Sequence, residues 1–341
     1  MAHRDLVVIG ASAGGIEALQ QLLSRLPGDL DAAVLIVIHT SSHSGGLLAR
    51  VLSRAGKLPV VHPPDGTLIE RGRVYVAPPN FHMLVEGNLL RVIQGPRENL
   101  HRPAIDPLFR SAAVSYGRRA IGVVLTGALD DGTAGLMVLH AHGCAAIVQD
   151  PDTALFSSMP ASALEQVPSA EVLPLPEIAE RLVQLVREEL PRDARKNRPD
   201  PQTIREVRIA ELDMSELNSS EHPGQPSPFA CPDCGGVLWE TEDGGFLRFR
   251  CRVGHAFTAR HLGAEQRHAI ETALWAALRA LEESASLYER MAARAESVRQ
   301  HGTAASYNER AGNTTANVRV LRDFLLRMNK TEEETLAAEE V

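Results

Sequence analysis

The chain has 341 residues, 35 Lys and Arg against 43 Asp and Glu, a net charge of −8, and is 44% hydrophobic but only 4% aromatic. Without a basic excess it has no electrostatic reason to bind nucleic acid or an anionic membrane, and its longest apolar run, residues 32–38, falls far short of the ~18 residues of a membrane span. The first residues lack signal-peptide architecture, so the cytosol is the expected compartment, and a length beyond the ~250–300 residues of a single core predicts one large domain and smaller ones.

Up to about residue 190, short β-rich apolar runs at 6–9, 34–38, 73–76, 121–125 and 145–148 alternate with helical patterns at 15–26, 46–55, 107–115, 134–141 and 178–190. That alternation predicts an α/β fold, a doubly wound, mostly parallel sheet with helices on both faces. In such sheets the working groups gather beyond the carboxyl ends of the strands. Gly87-Asn88, between apolar pieces at 83–85 and 89–93, predicts a local antiparallel hairpin. Residues 191–228 collect Pro191, Pro199, Pro201, Pro223, Pro226 and Pro228 with many charges, and beyond a short helical stretch near 203–212 they read as a linker.

Three of the four cysteines then cluster. Cys231-Pro232-Asp233-Cys234, sixteen residues, and Cys251-Arg252-Val253-Gly254-His255 supply three thiolates and one imidazole. Four such ligands close a tetrahedral zinc shell with no position for a catalytic water, so the expected role is one structural zinc per chain in a small ribbon. Glu240, Glu242 and Asp243 balance Arg248, Arg250 and Arg252, which points the ribbon toward protein rather than nucleic acid. Beyond it, apolar residues step by threes and fours from Ile270 to Ala295 and again from Ala304 to Met328, with Gly302 between the stripes. This is the pattern of an α-helical hairpin, with a second copy as one candidate partner, followed by a Glu-rich end expected to fray. The expected organisation is a catalytic domain over 1–190, a linker over 191–228, a zinc-ribbon-like module over 229–262, the hairpin over 263–330 and an acidic tail over 331–341.

The candidate chemistry begins at Gly10-Ala11-Ser12-Ala13-Gly14-Gly15, a strand, a turn of small residues and a helix. A dinucleotide fingerprint would need glycine where Ser12 stands. A Gly-x-Ser-x-Gly nucleophile turn fits, with a helix cap as the plain alternative for Ser12. The strand at 34–38 delivers His39 to the same sheet edge, and an imidazole is the base that a serine hydroxyl requires. The strand at 121–125 runs into Thr126-Gly127-Ala128-Leu129-Asp130-Asp131-Gly132, which brings carboxylates and small-residue backbone to that edge.

At these residues the chain resembles the CheB-type family, the catalytic domains of chemotaxis receptor protein-glutamate methylesterases. The resemblance covers over half the chain and rests on Ile9 to Gly15, on His39 followed by Leu47-Leu48-Ala49-Arg50-Val51-Leu52, and on Val74-Tyr75-Val76-Ala77-Pro78 with His82. Arg102-Pro103-Ala104-Ile105-Asp106-Pro107-Leu108-Phe109 and Leu125 to Gly132 complete it. It implies hydrolysis of glutamyl γ-methyl esters on the helices of a chemoreceptor or other helical signalling protein, with glutamine deamidation as a related activity. By position, Ser12 is the nucleophile, His39 the base and then the acid, and Asp131 the orienting carboxylate, with oxyanion donors at the backbone amides of Ala13 and Ala128. Ala13 stands where many members have Thr, and Ala128-Leu129 where they have Met-Gly, so hydroxyl support near His39 is lost while backbone donors survive. His82, Arg102 and Asp106 are candidates to line a substrate cleft. The alternative is a signalling scaffold that keeps the fold, has lost turnover and recruits partners through its zinc and helical modules.

Overall fold

The computed structural model describes residues 3–39, 46–190, 200–217, 219, 224–243 and 245–339. They form two compact units, Met1–Leu262 and Gly263–Val341.

The first unit is built on β1 (Leu6–Ala11), α1 (Gly15–Arg25), β2 (Ala33–Ile38), α2 (Leu47–Leu52), β3 (Val60–Val61), β4 (Thr67–Leu68), β5 (Val74–Val76), β6 (His82–Glu86) and β7 (Leu89–Ile93). It continues through α3 (Ile105–Tyr116), β8 (Ala120–Val124), α4 (Thr133–Ala141), β9 (Ala145–Gln149), α5 (Ser158–Gln166), β10 (Glu171–Leu173) and α6 (Leu175–Arg187). Seven strands make one sheet in the order β10-β9-β8-β1-β2-β5-β3, and every pairing in it is parallel. Because both faces are covered, the strands read as continuous apolar runs. Val7 and Ile9 of β1 pack with α1, α2 and α6 on one side. Leu6 and Val8 pack with α3, α4 and α5 on the other. The hairpin expected at Gly87-Asn88 is β6–β7, which with β4 makes a separate antiparallel sheet.

Chain order reverses around β1, which has β2 on one flank and β8 on the other. A crevice forms at such a switch point, beyond the carboxyl ends of the strands.

The stretch read as a linker is partly structure. Residues 191–199, 218 and 220–223 lie outside the described residues, but α7 (Pro201–Ala210) packs on α3 and buries Thr203, Glu206, Val207, Ile209 and Ala210. Asp200 caps this helix by accepting from the Gln202 and Thr203 amides, and Pro201 occupies the first helical position, where its missing N–H costs nothing. The proline that suggested a linker is thus a helix start. The short α8 (Met214–Leu217) follows, then an antiparallel sheet of β11 (Gln225–Ala230), β12 (Val237–Asp243), β13 (Phe246–Cys251) and β14 (Ala256–Thr258). Finally α9 (Ala259–Ser297) and α10 (His301–Glu339) supply the helical hairpin, α10 remaining helical through most of the Glu-rich end. Among the described residues no helix is long and apolar enough to cross a membrane.

Candidate active site and metal centre

The turn after β1 is tied to the turn after β8 by their backbones. The Ser12 amide donates to the Thr126 carbonyl (3.0 Å), and the Thr126 hydroxyl donates to the Ala13 carbonyl (3.0 Å). Close approach requires glycine at 127, since a Cβ there would lie 2.8 Å from the Cβ of Ser12. Gly14 takes a φ of 70°, the left-handed region in which glycine starts α1 without strain.

Within this frame the three side chains predicted at separate strand ends form one chain. The hydroxyl of Ser12 lies 3.0 Å from Nδ1 of His39, and Nε2 of His39 lies 2.7 Å from Oδ2 of Asp131. Nε2–H therefore donates to the carboxylate and leaves Nδ1 as an acceptor for the serine proton. The side chain of Asp131 is fully buried and that of His39 only 7% exposed. Asp131 also accepts from the amides of Ile105 (2.7 Å) and Gly132 (3.0 Å) and from Nδ2 of Asn99 (2.8 Å). Burial by itself would raise this carboxyl, but the hydrogen bond and charge of His39, the Ile105 amide and Asn99 hold it well below the usual carboxylate range. It stays ionised.

The amides of Ala13 and Ala128 have no hydrogen-bond acceptor among the described residues, whereas those of neighbouring Ser12 and Gly127 are bonded to Thr126 and Phe156. Leu129 is held at a φ of 62°. A bulky residue in that region costs about 1–3 kcal/mol, a strain concentrated at functional turns.

Two of the three residues put forward as cleft walls are interior groups instead. His82 is fully buried between the Pro96 carbonyl and the Ala104 amide. Asp106 is buried between Asn99 and the Gly135 amide, and burial, then the charge of Asp131, push its carboxyl up to about 8. Both belong to tightly packed elements, β6 and α3, which aim them inward. Arg102 binds Asn80 and the Gly95 carbonyl.

Sequence reading missed a layer around these three side chains. His101 stacks on His39 with centroids 3.6 Å apart and planes 11° from parallel, and burial, then the charge of His39, lower its imidazole to about 3. It is a neutral, flat wall. Asp130, the neighbour of Asp131, faces Nδ1 of His261 at 2.7 Å and accepts from the Thr258 hydroxyl at 2.6 Å. Further out, buried Glu98 and Glu206 are enclosed by Arg110, Arg248 and Arg250, joining α3, α7 and β13 to the loop before α3. These residues are far apart in sequence and match no local pattern. The one available signal was the set of polar residues Glu98, Asn99 and His101 just ahead of the Arg102-Pro103 motif.

The predicted ligands Cys231, Cys234, Cys251 and His255 also converge, with one donor atom from each and all within 4.8 Å of one another. Nδ1 of His255 is 3.6 Å from the sulfurs of Cys231 and Cys251, and the sulfurs of Cys234 and Cys251 are 3.7 Å apart. Bonds of about 2.0–2.3 Å to a tetrahedral zinc give edges of about 3.4–3.8 Å, so the donor set has the size and chemistry that zinc needs.

A family model described as CheB methylesterase matches residues 7–182. The chain is 40% identical over 182 residues to a putative protein-glutamate methylesterase/protein-glutamine glutaminase of Leptospira interrogans, covering 53% of this chain and 94% of that protein. It is 41% identical over 186 residues to protein-glutamate methylesterase/protein-glutamine glutaminase 5 of Anaeromyxobacter dehalogenans, covering 53% of this chain and 51% of that one. Among solved structures, the Thermotoga maritima CheB methylesterase catalytic domain aligns over its whole length and 55% of this chain, with 32% identity and a TM-score of 0.52. The parallel sheet, the linked turns at its switch point and these matches give one conclusion: the chain belongs to the CheB methylesterase family.

Proposed function

We propose that the chain is a serine esterase that hydrolyses glutamyl γ-methyl esters on the helices of methylated chemoreceptors or similar helical signalling proteins in the cytosol, with glutamine deamidation at the same centre. The observation that carries this reading is the continuous chain from the Ser12 hydroxyl through His39 to buried Asp131, beside the backbone amides of Ala13 and Ala128, which have no acceptor among the described residues.

Ser12 attacks the ester carbonyl as Nδ1 of His39 takes its proton, and the Asp131 carboxylate stabilises the imidazolium that forms. Negative charge develops on the carbonyl oxygen, where the amides of Ala13 and Ala128 act as donors. Such pre-aimed donors are worth about 3–4 kcal/mol each. His39 then gives its proton to departing methanol, and a water activated by the same imidazole releases glutamate from the acyl-enzyme. With glutamine the leaving group is ammonia. Cys231, Cys234, Cys251 and His255 would hold one structural zinc, and four protein ligands would leave it no place for substrate. A scaffold without turnover has no use for a buried, ionised carboxylate aimed at a serine-bound imidazole, so the esterase is the stronger reading.

Methanol release from a methylated receptor fragment tests it. Ser12→Ala and His39→Ala should each remove nearly all turnover, and the double variant should be little worse than either, because such residues act as a unit. Full turnover by Ser12→Ala would overturn the assignment.

A further inference from the structure

The strand β14 and the residue that caps α9 reach back to the triad. The loop at 97–102 carries Asn99 at a φ of 51° and Leu100 at 67°, a backbone that Leu does not adopt unless its surroundings enforce it. The enforcement comes from β14. The Asn99 amide donates to the Ala256 carbonyl at 2.8 Å, and the Ala256 amide donates to the Arg97 carbonyl at 3.2 Å. Arg250 of β13 reaches Glu98 on the same loop at 3.2 Å, and Leu100 packs against the apolar core of that four-stranded sheet.

Asn99 is 2% exposed and its side-chain amide is bonded at both ends. Its Oδ1 accepts from the Thr258 amide at 3.0 Å, which fixes the orientation of the amide group. Nδ2 must therefore face the other way, and it donates to Asp131 at 2.8 Å and to Asp106 at 2.9 Å. Two residues along, the same loop lays His101 flat on His39. Thr258 holds the neighbouring carboxylate too, because its hydroxyl donates to Asp130 while accepting from the His261 amide as the cap of α9.

We propose that Asn99 is a positioning residue for Asp131 and, through it, for His39, and that β14 sets Asn99, so that the four-stranded sheet is a working part of the esterase centre. The Asp130–Thr258 bond is the second strut of the same device, closing the catalytic loop onto the same strand. This rests on the esterase reading for its kinetic consequences but not for its geometry.

The test uses the full chain and the variants Asn99→Ala, Thr258→Val and Thr258→Ser. The readouts are kcat and KM for a methyl ester, the reaction of Ser12 with a fluorophosphonate, and the downfield NMR signal of the proton between His39 and Asp131. A misplacement of about 1 Å costs on the order of 10²-fold in rate. Asn99→Ala should therefore lower kcat by about 10–100-fold with KM within about twofold, slow fluorophosphonate labelling in parallel, and broaden or remove the downfield signal. Thr258→Val should show a smaller loss in the same direction, and Thr258→Ser, which keeps the hydroxyl, should restore all three readouts. Should Asn99→Ala fail to fold, the Thr258 pair carries the decision alone. Variants that melt earlier yet keep kcat, labelling rate and the downfield signal would overturn the proposal. If wild type hydrolyses no methyl ester while labelling and the proton signal fall in the variants as described, the positioning role stands and the substrate assignment fails.

Discussion

Asp131 and Asp106 sit on either side of the Nδ2 of Asn99, and their neighbours push them in opposite directions. Asp131, held low, contributes stability that is present above the unfolded carboxyl value of about 4 and lost as pH falls below it. Asp106, pushed up to about 8 by burial and by Asp131, has the reverse sign. Its contribution is full below about pH 4, declines as pH rises, and is gone above about 8. Urea midpoints measured from pH 3 to 9 should therefore decline between about 4 and 8 in the wild type. In Asp106→Asn that decline should flatten while the loss below pH 4 remains. An unchanged slope in the variant would mean that Asp106 ionises normally. His101 acts through its plane rather than its charge, and a flat wall leaves no motif in the sequence.

At the scale of elements, five strands of the seven-stranded sheet were legible, β1, β2, β5, β8 and β9, because a strand buried on both faces must be apolar throughout, as β1, β2 and β8 are. Elements without that signature escaped. The strands β3 and β4 are two residues long, and α5 opens Ser158-Met159-Pro160, a composition that reads as a loop. Pro160 is tolerated because the first helical amides have no partner to lose. The ribbon was legible from ligand spacing, but its attachment was not. A zinc module hung on a linker would unfold on chelation and spare the esterase, whereas β14 is bonded to the loop that holds Asp131. We expect elemental analysis to find about one zinc per chain, and we expect chelation or Cys251→Ser to lower turnover together with ribbon structure. Full turnover after zinc loss would separate the two. Structural zinc contributes roughly 10–16 kcal/mol in zinc-finger peptides, enough to decide whether so small a sheet folds.

On the scale of the whole molecule, the second unit has a modest interior of its own. Leu278, Val318 and Leu325 are buried, with Leu274, Leu281, Leu321 and Met328 packed around them. Trp275, Leu287, Val320 and Phe324 remain exposed, so its surface keeps apolar side chains that a partner helix or a second copy could cover. Deleting residues 263–341 should weaken capture of a helical protein substrate and leave hydrolysis of a small activated ester unchanged. Equal loss on both substrates would assign the hairpin to support of the fold. Sequence by itself determined the α/β class, the strand ends that lead to Ser12, His39 and the Asp130-Asp131 pair, and the Cys3His set, because periodicity and ligand spacing are local properties; the choice of Asp131 within that pair came from the family resemblance. What only the tertiary structure decided is which groups hold those residues in place: Asn99 on Asp131, His101 on His39, Thr258 on Asp130, and Glu206 among three arginines. Each of these is a contact between segments distant in the chain, chosen by the complementarity of buried donors and acceptors, and such complementarity exists only once the chain has folded.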